Sequence, residues 1–222
     1  MKKVIAVLLM LALILSFAAC APKTYEIAMV TDVGNIDDHS FNQGTWEGVK
    51  QFAEANGKTY NYYRPSEDSD EARLEAMKTA VKKGAKVIVC PGYMFGPSIT
   101  EAQALYPEVM FFGIDLTTKD MTPTANTTIC SYQEEIAGFC AGYAAVKDGN
   151  TKLGFCGGMA VPAVVRYGYG FVQGADDAAA ELGTQIEIKY WYAGVFAPND
   201  DIKVKMAGWY TEGTEVVFSC GG

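Results

Sequence analysis

Residues 25–57 read YEIAMVTDVGNIDDHSFNQGTWEGVKQFAEANG. The opening YEIAMVT is a short apolar run of strand length, and a polar loop from Asp32 to His39 follows it. Ser40 and Gln43 then form the S-x-x-Q pattern of a capping box, which predicts a helix that closes at Gly57. Strand, loop and helix in that order are half of a βαβ unit. The chain repeats the pattern. TYNYYR, AKVIVCPG, EVMFFGID and TTICS read as strands, separated by the helical stretches SDEARLEAMKTAVKKG and GPSITEAQALYP. After a helix over EEIAGFCAGYAAVKDG a second series begins. KLGFCGG, IEIKYWYAG and TEVVFSCGG are its strands, and a long helix opened by Pro162 and the stretch DDIKVKMAGWYTEG lie between them. Apolar strands alternating with amphipathic helices predict an α/β fold of parallel sheets covered on both faces, in two lobes of similar design.

The first twenty residues differ in kind. MKK precedes an apolar run from Val4 to Ala19, too short for a membrane span and shaped as a secretory signal. Ala18-Ala19-Cys20 resembles the bacterial lipobox, with Phe17 departing from the usual aliphatic residue, so Cys20 is the expected lipidation site. Acyl chains anchor a body with no other membrane signal, at ~0.8 kcal/mol per buried methylene. The expected organisation is a signal over 1–20, an N-terminal lobe over 21–130 and a second lobe over 131–222. The chain stops at Gly221-Gly222 on the loop after a strand, which predicts that the C-terminal part of the second lobe is missing.

Eighteen basic residues against 26 acidic ones give a net charge of −8, and −10 once Lys2 and Lys3 leave with the signal. No basic run is present, which argues against nucleic-acid binding. Cys90, Cys130, Cys140, Cys156 and Cys220 form no C-x-x-C pair, and with His39 the single histidine they predict free apolar thiols rather than a metal site.

Ligands of open α/β sheets sit beyond the carboxyl ends of the strands. That rule selects Asp32, Gly92 with Tyr93, Asp115, Gly157-Gly158 and the segment from Tyr192 to Phe196. The carboxylates of the first loop invite a catalytic reading, since calcium-dependent nucleoside hydrolases carry D-x-D-x-x-x-D-D after their first strand. Here Val30-Thr31 stand where the leading acid belongs, and an extra residue separates Asp32 from Asp37-Asp38. A hard cation needs six to eight oxygens, more than this loop offers. A binding reading uses Asp32 as acceptor for ligand hydroxyls, Phe41 as a projecting ring and Asn42 as donor and acceptor. Core packing of Phe41 with Val49 and Phe52 is the alternative, and Asp37 and Asp38 also suit the electrostatics of a helix start.

TDVGNIDDHSFNQGTWEG, with VIVCPGYMFGPSITEAQALYPEVMFFGID, EEIAGFCAGYAA, GFCGGMAVPAVVRYGYGFVQGA and YAGVFAPNDDIKVKMA, resembles the basic membrane protein family. Its members are substrate-binding lipoproteins of ABC transporters, several of them purine-nucleoside receptors. The resemblance implies a bilobed type I periplasmic-binding fold closing on a nucleoside, with no cofactor and no chemistry. It implies a protein exported and lipid-anchored to the cell membrane, facing the outside or the periplasm, with an ABC permease as partner. By motif match Asp32, Phe41 and Asn42 belong to the first wall of the pocket and Phe196 to the second. Asp115 would bind ligand hydroxyls or base, and Gly157 and Gly158 would admit a close backbone approach. A sugar or other solute receptor of the same fold is the alternative, a nucleoside hydrolase a more distant one.

Overall fold

The computed structural model describes residues 23–221 apart from Val33; the leader and Cys20 lie outside them. In chain order come β1 (Ile27–Val30), α1 (Phe41–Ala55), β2 (Tyr60–Tyr63), α2 (Asp70–Lys82) and β3 (Val87–Pro91). A 3-10 turn (Tyr93–Phe95), α3 (Gly96–Leu105), β4 (Met110–Ile114) and β5 (Thr127–Cys130) come next. Then come α4 (Glu134–Lys147), β6 (Lys152–Gly157), α5 (Pro162–Leu182), β7 (Glu187–Tyr192), α6 (Asp200–Thr211) and β8 (Val216–Cys220). The strand and helix runs of the sequence all appear; the 3-10 turn was hidden inside YMF.

By contacts the chain forms two compact units. Of the described residues, the first takes those up to Asn35, Thr45–Gly113 and Thr118–Thr128; the second takes Ile36–Gly44, Ile114–Thr117 and those from Ile129 onward.

The first unit carries most of the five-stranded sheet, in the order β2-β1-β3-β4-β5, with the ends of β4 and β5 counted in the second. β1 pairs in parallel with both β2 and β3, with Ile27 opposite Tyr60 on one side and Val87 on the other. A central parallel strand has no solvent face, so IAMV shows no alternation and all four residues are buried. Because the chain winds to β2 on one side and β3 on the other, the strand order reverses between β1 and β3. That switch point places Asp32 and Gly92 at its mouth. Arg73 on α2 steadies the Gly92 turn: it is 5 % exposed, pairs with Asp70 at 3.0 Å and with Asp68, lies over the Phe95 ring and reaches Met94 Sδ.

The second unit repeats this winding. Its sheet order is β7-β6-β8, with β6 parallel to both neighbours and the switch between β6 and β8. Phe155 of β6 is fully buried, with the rings of Phe171, Tyr190, Tyr192 and Phe218 at centroid distances of 4.5–6.3 Å. Such ring pairs add about 0.5–1.5 kcal/mol each beyond their buried area.

Beside the sheet, α4 and α5 touch backbone to backbone. A Cβ on Gly138 would lie 2.0 Å from the carbonyl oxygen of Tyr167, and one on Gly142 2.0 Å from that of Phe171. Reciprocally, Gly170 faces the carbonyl of Glu135 and Gly174 that of Phe139, both at 2.0 Å. Contacts advance by four residues on both helices together, so the pair runs in the same direction. Two G-x-x-x-G patterns, Gly138/Gly142 and Gly170/Gly174, therefore interlock, and their register sets the starts of α4 and α5 side by side.

Among the described residues the five cysteines are free. Cys90 and Cys156 are buried as small apolar groups, and burial pushes the Cys90 thiol well up. Cys140 departs from the sequence expectation: it is exposed on α4, on the side turned away from α5. No described helix is long and apolar enough to cross a membrane.

Candidate functional site

The loop after β1 organises itself around Asp38. Its Oδ1 accepts the backbone N–H groups of Ser40 at 2.9 Å and Gln43 at 3.0 Å. Oδ2 accepts the N–H of Asn42 at 3.1 Å and its Nδ2 at 2.9 Å. Gln43 Oε1 reaches back to the N–H of His39 at 3.0 Å. The capping device is thus real but shifted: Asp38 occupies the role expected of Ser40. A carboxylate two residues upstream outcompetes a hydroxyl because its two oxygens take four donors and its charge opposes the helix dipole. Burial would push the Asp38 pKa up, but the bonds from Gln43, Asn42 and Ser40 outweigh it and hold the carboxyl below its usual value. A group depressed in the folded state stabilises the fold above its unfolded pKa, and that contribution disappears as pH falls through the folded value. Asp38→Ala is expected to destabilise the protein by about 1–2 kcal/mol in urea unfolding at pH 7, with the deficit shrinking in acid. A deficit independent of pH would contradict this assignment.

Capping at Asp38 sets the geometry of the next residues. His39 adopts a left-handed φ of 54°, and the helix starts with Phe41 and Asn42 in its first turn. Asn42 is buried and its amide is engaged by Asp38. Phe41 is 37 % exposed and Phe52 is 61 % exposed, while Val49 is buried. Asp32 closes an Asx turn, accepting the N–H of Gly34 at 2.5 Å. Gly92 turns the chain at φ 121°, a conformation reserved for glycine.

At the end of β6, Gly157 and Gly158 are enclosed by hydrogen bonds on both sides. The N–H of Gly158 donates to Cys220, and the carbonyls of Gly157 and Gly158 accept from Ala193 and Gly194, all at 2.8–2.9 Å. A Cβ on Gly158 would lie 2.5 Å from Cδ1 of Phe196. The Phe196 ring thus sits on the Gly158 backbone, while a Cβ on Gly157 would lie 2.7 Å from Cδ1 of Tyr192. Phe196 is 37 % exposed.

The sequence reading missed one cluster beside Asp115. Asp115 leaves β4 with a left-handed φ of 64°, uncommon for a non-glycine residue, and the next N–H, of Leu116, donates to Cys130 at 3.0 Å. Alongside it stands Glu134, the first residue of α4, whose side chain is 2 % exposed. Arg166 of α5 donates through Nε to Glu134 Oε2 at 2.6 Å. Burial works against the Glu134 charge, but hydrogen bonds from Arg166, the backbone and the Asp115 carboxyl hold its pKa below the ordinary value. The Arg166 pKa is raised, first by the Glu134 bond, with the fields of Asp115 and Glu135 adding. Thirty-two residues separate Glu134 from Arg166; the signal that could have joined them is the pair of G-x-x-x-G patterns just downstream of each. Among the described residues no three His, Cys, Asp or Glu side chains are grouped to hold a metal ion.

Against known proteins, a profile of the Bmp family, described as ABC transporter substrate-binding protein PnrA-like, matches residues 25–222. The chain is 30 % identical over 202 residues to the ABC transporter nucleoside-binding protein BmpA of Lactococcus lactis, covering 89 % of this chain and 55 % of that one. An uncharacterised lipoprotein of Pyrococcus horikoshii is 26 % identical over 78 % of this chain and 43 % of its own. Solute-binding proteins of an ABC transporter system from Aeropyrum pernix share the fold at a TM-score of 0.76 and 22 % identity, over 89 % of this chain and 55 % of theirs. The chain spans about half the length of such relatives.

Proposed function

This chain belongs to the Bmp family of PnrA-like ABC transporter substrate-binding proteins, and from that premise we propose that the protein receives a purine nucleoside for an importer and leaves it chemically unchanged. The observation that carries the reading is a pair of partly exposed rings, Phe41 at the start of α1 and Phe196 in the loop after β7. Asp38 fixes the helix turn that presents Phe41, and Gly158 seats Phe196. Carboxylates at Asp32 and Asp115 supply acceptors for ligand hydroxyls or base N–H groups. Gly92 shapes its strand-end loop in the first unit, and Asn42 and Gly157 shape theirs in the second. A relative named as nucleoside-binding supports the choice of ligand class.

The magnitudes are adequate. Stacking on an aromatic ring contributes ~1–3 kcal/mol per base contact, and a hydrogen bond to a charged group ~1.5–3 kcal/mol. A micromolar complex needs about 8 kcal/mol, which two rings and two carboxylates reach together. Lipidation at Cys20 would hold the receptor at the outer face of the cell membrane, or in the periplasm, beside its permease. The lipoprotein name of one relative supports that placement.

Titration calorimetry of the full-length protein with inosine, guanosine and adenosine tests the reading. Saturable heat with at least one of them, and recovery of intact nucleoside afterwards, is the expected result. No heat with any of the three overturns the ligand, and release of free base overturns the absence of chemistry.

A further inference from the structure

The strands of the first unit begin at a pole that the ligand loops do not use. Parallel pairing sets Ile27 beside Tyr60 and Val87, which brings Glu26, Lys58 and Lys86 to one edge. Glu26 Oε1 lies 3.1 Å from Lys58 Nζ and 3.5 Å from Lys86 Nζ. The N–H of Met110, at the start of β4, donates to the Lys86 carbonyl at 2.8 Å, so β4 begins at the same pole. α2 ends there with Lys82 and its cap Lys83. The incoming chain crosses this pole. The N–H of Tyr25 donates to the Lys83 carbonyl at 2.9 Å, and a Cβ on Gly84 would lie 3.1 Å from that of Thr24.

In a chain of net charge −8 this pole is basic. Lys23, Lys58, Lys82, Lys83 and Lys86 are all exposed. The carboxylates at the same level are Glu26, shared by two of these lysines, Glu54, which accepts the Tyr60 hydroxyl at 2.6 Å, and Glu108. Lys82 and Lys83 also offset the negative end of the α2 dipole. Large apolar side chains are exposed among the lysines: Phe52 in the last turn of α1, Leu105 at the end of α3 and Met110. Such a mixture suits the surface of a bilayer, where apolar groups enter the headgroup layer and lysine stems carry their charge to the phosphates. Asp32 and Gly92 leave the opposite, carboxyl ends of β1 and β3.

We propose that this amino-end pole of the first unit is a docking surface for anionic phospholipid headgroups, which lays the unit on the membrane with Asp32 and Gly92 turned away from the lipid. The inference rests on the reading of Cys20 as the lipidation site for its distances, and on the pole itself for its chemistry. Cys20 lies three residues before Lys23. A chain spans at most about 3.6 Å per residue, so an acylated Cys20 holds the pole within about 11 Å of the lipid. That is close to one Debye length at physiological salt. At such a distance each lysine strengthens attachment to an anionic leaflet about fivefold.

The test uses the mature full-length protein acylated at Cys20, and its Cys20→Ser variant, which carries no acyl chain. The acylated form is placed in phosphatidylcholine vesicles with and without phosphatidylglycerol, and acetylation of its lysines is followed by mass spectrometry. Lys82, Lys83 and Lys86 are expected to react severalfold more slowly on the anionic vesicles, with the difference lost in high salt. Lys119, exposed on the loop after β4, should keep its rate. Equal rates on the two kinds of vesicle overturn the proposal. The Cys20→Ser protein is expected to sediment with anionic vesicles at low salt and not with neutral ones. Adding Lys82→Gln, Lys83→Gln and Lys86→Gln should weaken that association about 100-fold and leave nucleoside titrations unchanged. Full association in the triple variant overturns the proposal, as does a Cys20→Ser protein that binds neither vesicle. If the mature protein carries no acyl group, the anchor reading falls, and sedimentation of the unacylated chain decides the docking surface by itself.

Discussion

Gly142→Ala is expected to destabilise the protein by about 3 kcal/mol, although an alanine in an open helix is stabilising by up to ~1 kcal/mol. The added methyl would sit 2.0 Å from the Phe171 carbonyl oxygen and 2.9 Å from its carbon. Both are backbone atoms in the middle of α5, so no rotamer change relieves the overlap. The helices must part, and parting them loosens Phe171, which stacks on Phe218 at 5.2 Å. Gly208 on α6 is the internal control, because nothing lies within 4 Å of its would-be Cβ. There alanine is expected to stabilise by about 0.5–1 kcal/mol. Urea unfolding followed by circular dichroism compares the two. Equal and favourable shifts for both would refute the close helix contact.

Removing both rings, Phe41→Ala with Phe196→Ala, is expected to weaken purine nucleoside binding by about 2–6 kcal/mol, from roughly 30-fold to beyond detection. Each single change should account for about half. The fold should tolerate the pair, since both residues are 37 % exposed. Calorimetry on folded single and double variants separates the contributions. Full affinity in the double variant would mean that the ligand is held by its sugar or by another solute group, as a sugar receptor of this fold would hold it.

Much of the architecture is legible in the sequence, for a physical reason. Strands such as IAMV and VIVCP are paired on both sides and covered on both faces, so they are written as unbroken apolar runs flanked by strand-end turns. Loop residues obey the same logic, since the winding order puts Asp32, Gly92 and Gly157-Gly158 at the switch points. Local competition is harder to read. Ser40 and Asp38 both suit the start of α1, and only the folded loop shows that the carboxylate collects the donors. Non-local pairing is harder still. Glycines at 138, 142, 170 and 174 have no side chain to enter a hydrophobic pattern, so the helix contact they create shows only in their four-residue spacing. Glu134 and Arg166 look like ordinary helix-start charges until that contact brings them together.

The second unit is assembled from three separate stretches of chain, and this has a consequence for the order of events during synthesis. Ile36–Gly44 and Ile114–Thr117 emerge from the ribosome before any strand of the three-stranded sheet of the unit they belong to. Vectorial folding completes N-terminal bodies first, so those two segments wait, tethered at both ends to an already formed sheet. Phe41, Asn42 and Asp115 ride on them. These three proposed contacts are thus made early and fixed late, and a nascent chain lacks them as part of a finished unit until the glycine-matched helices have docked.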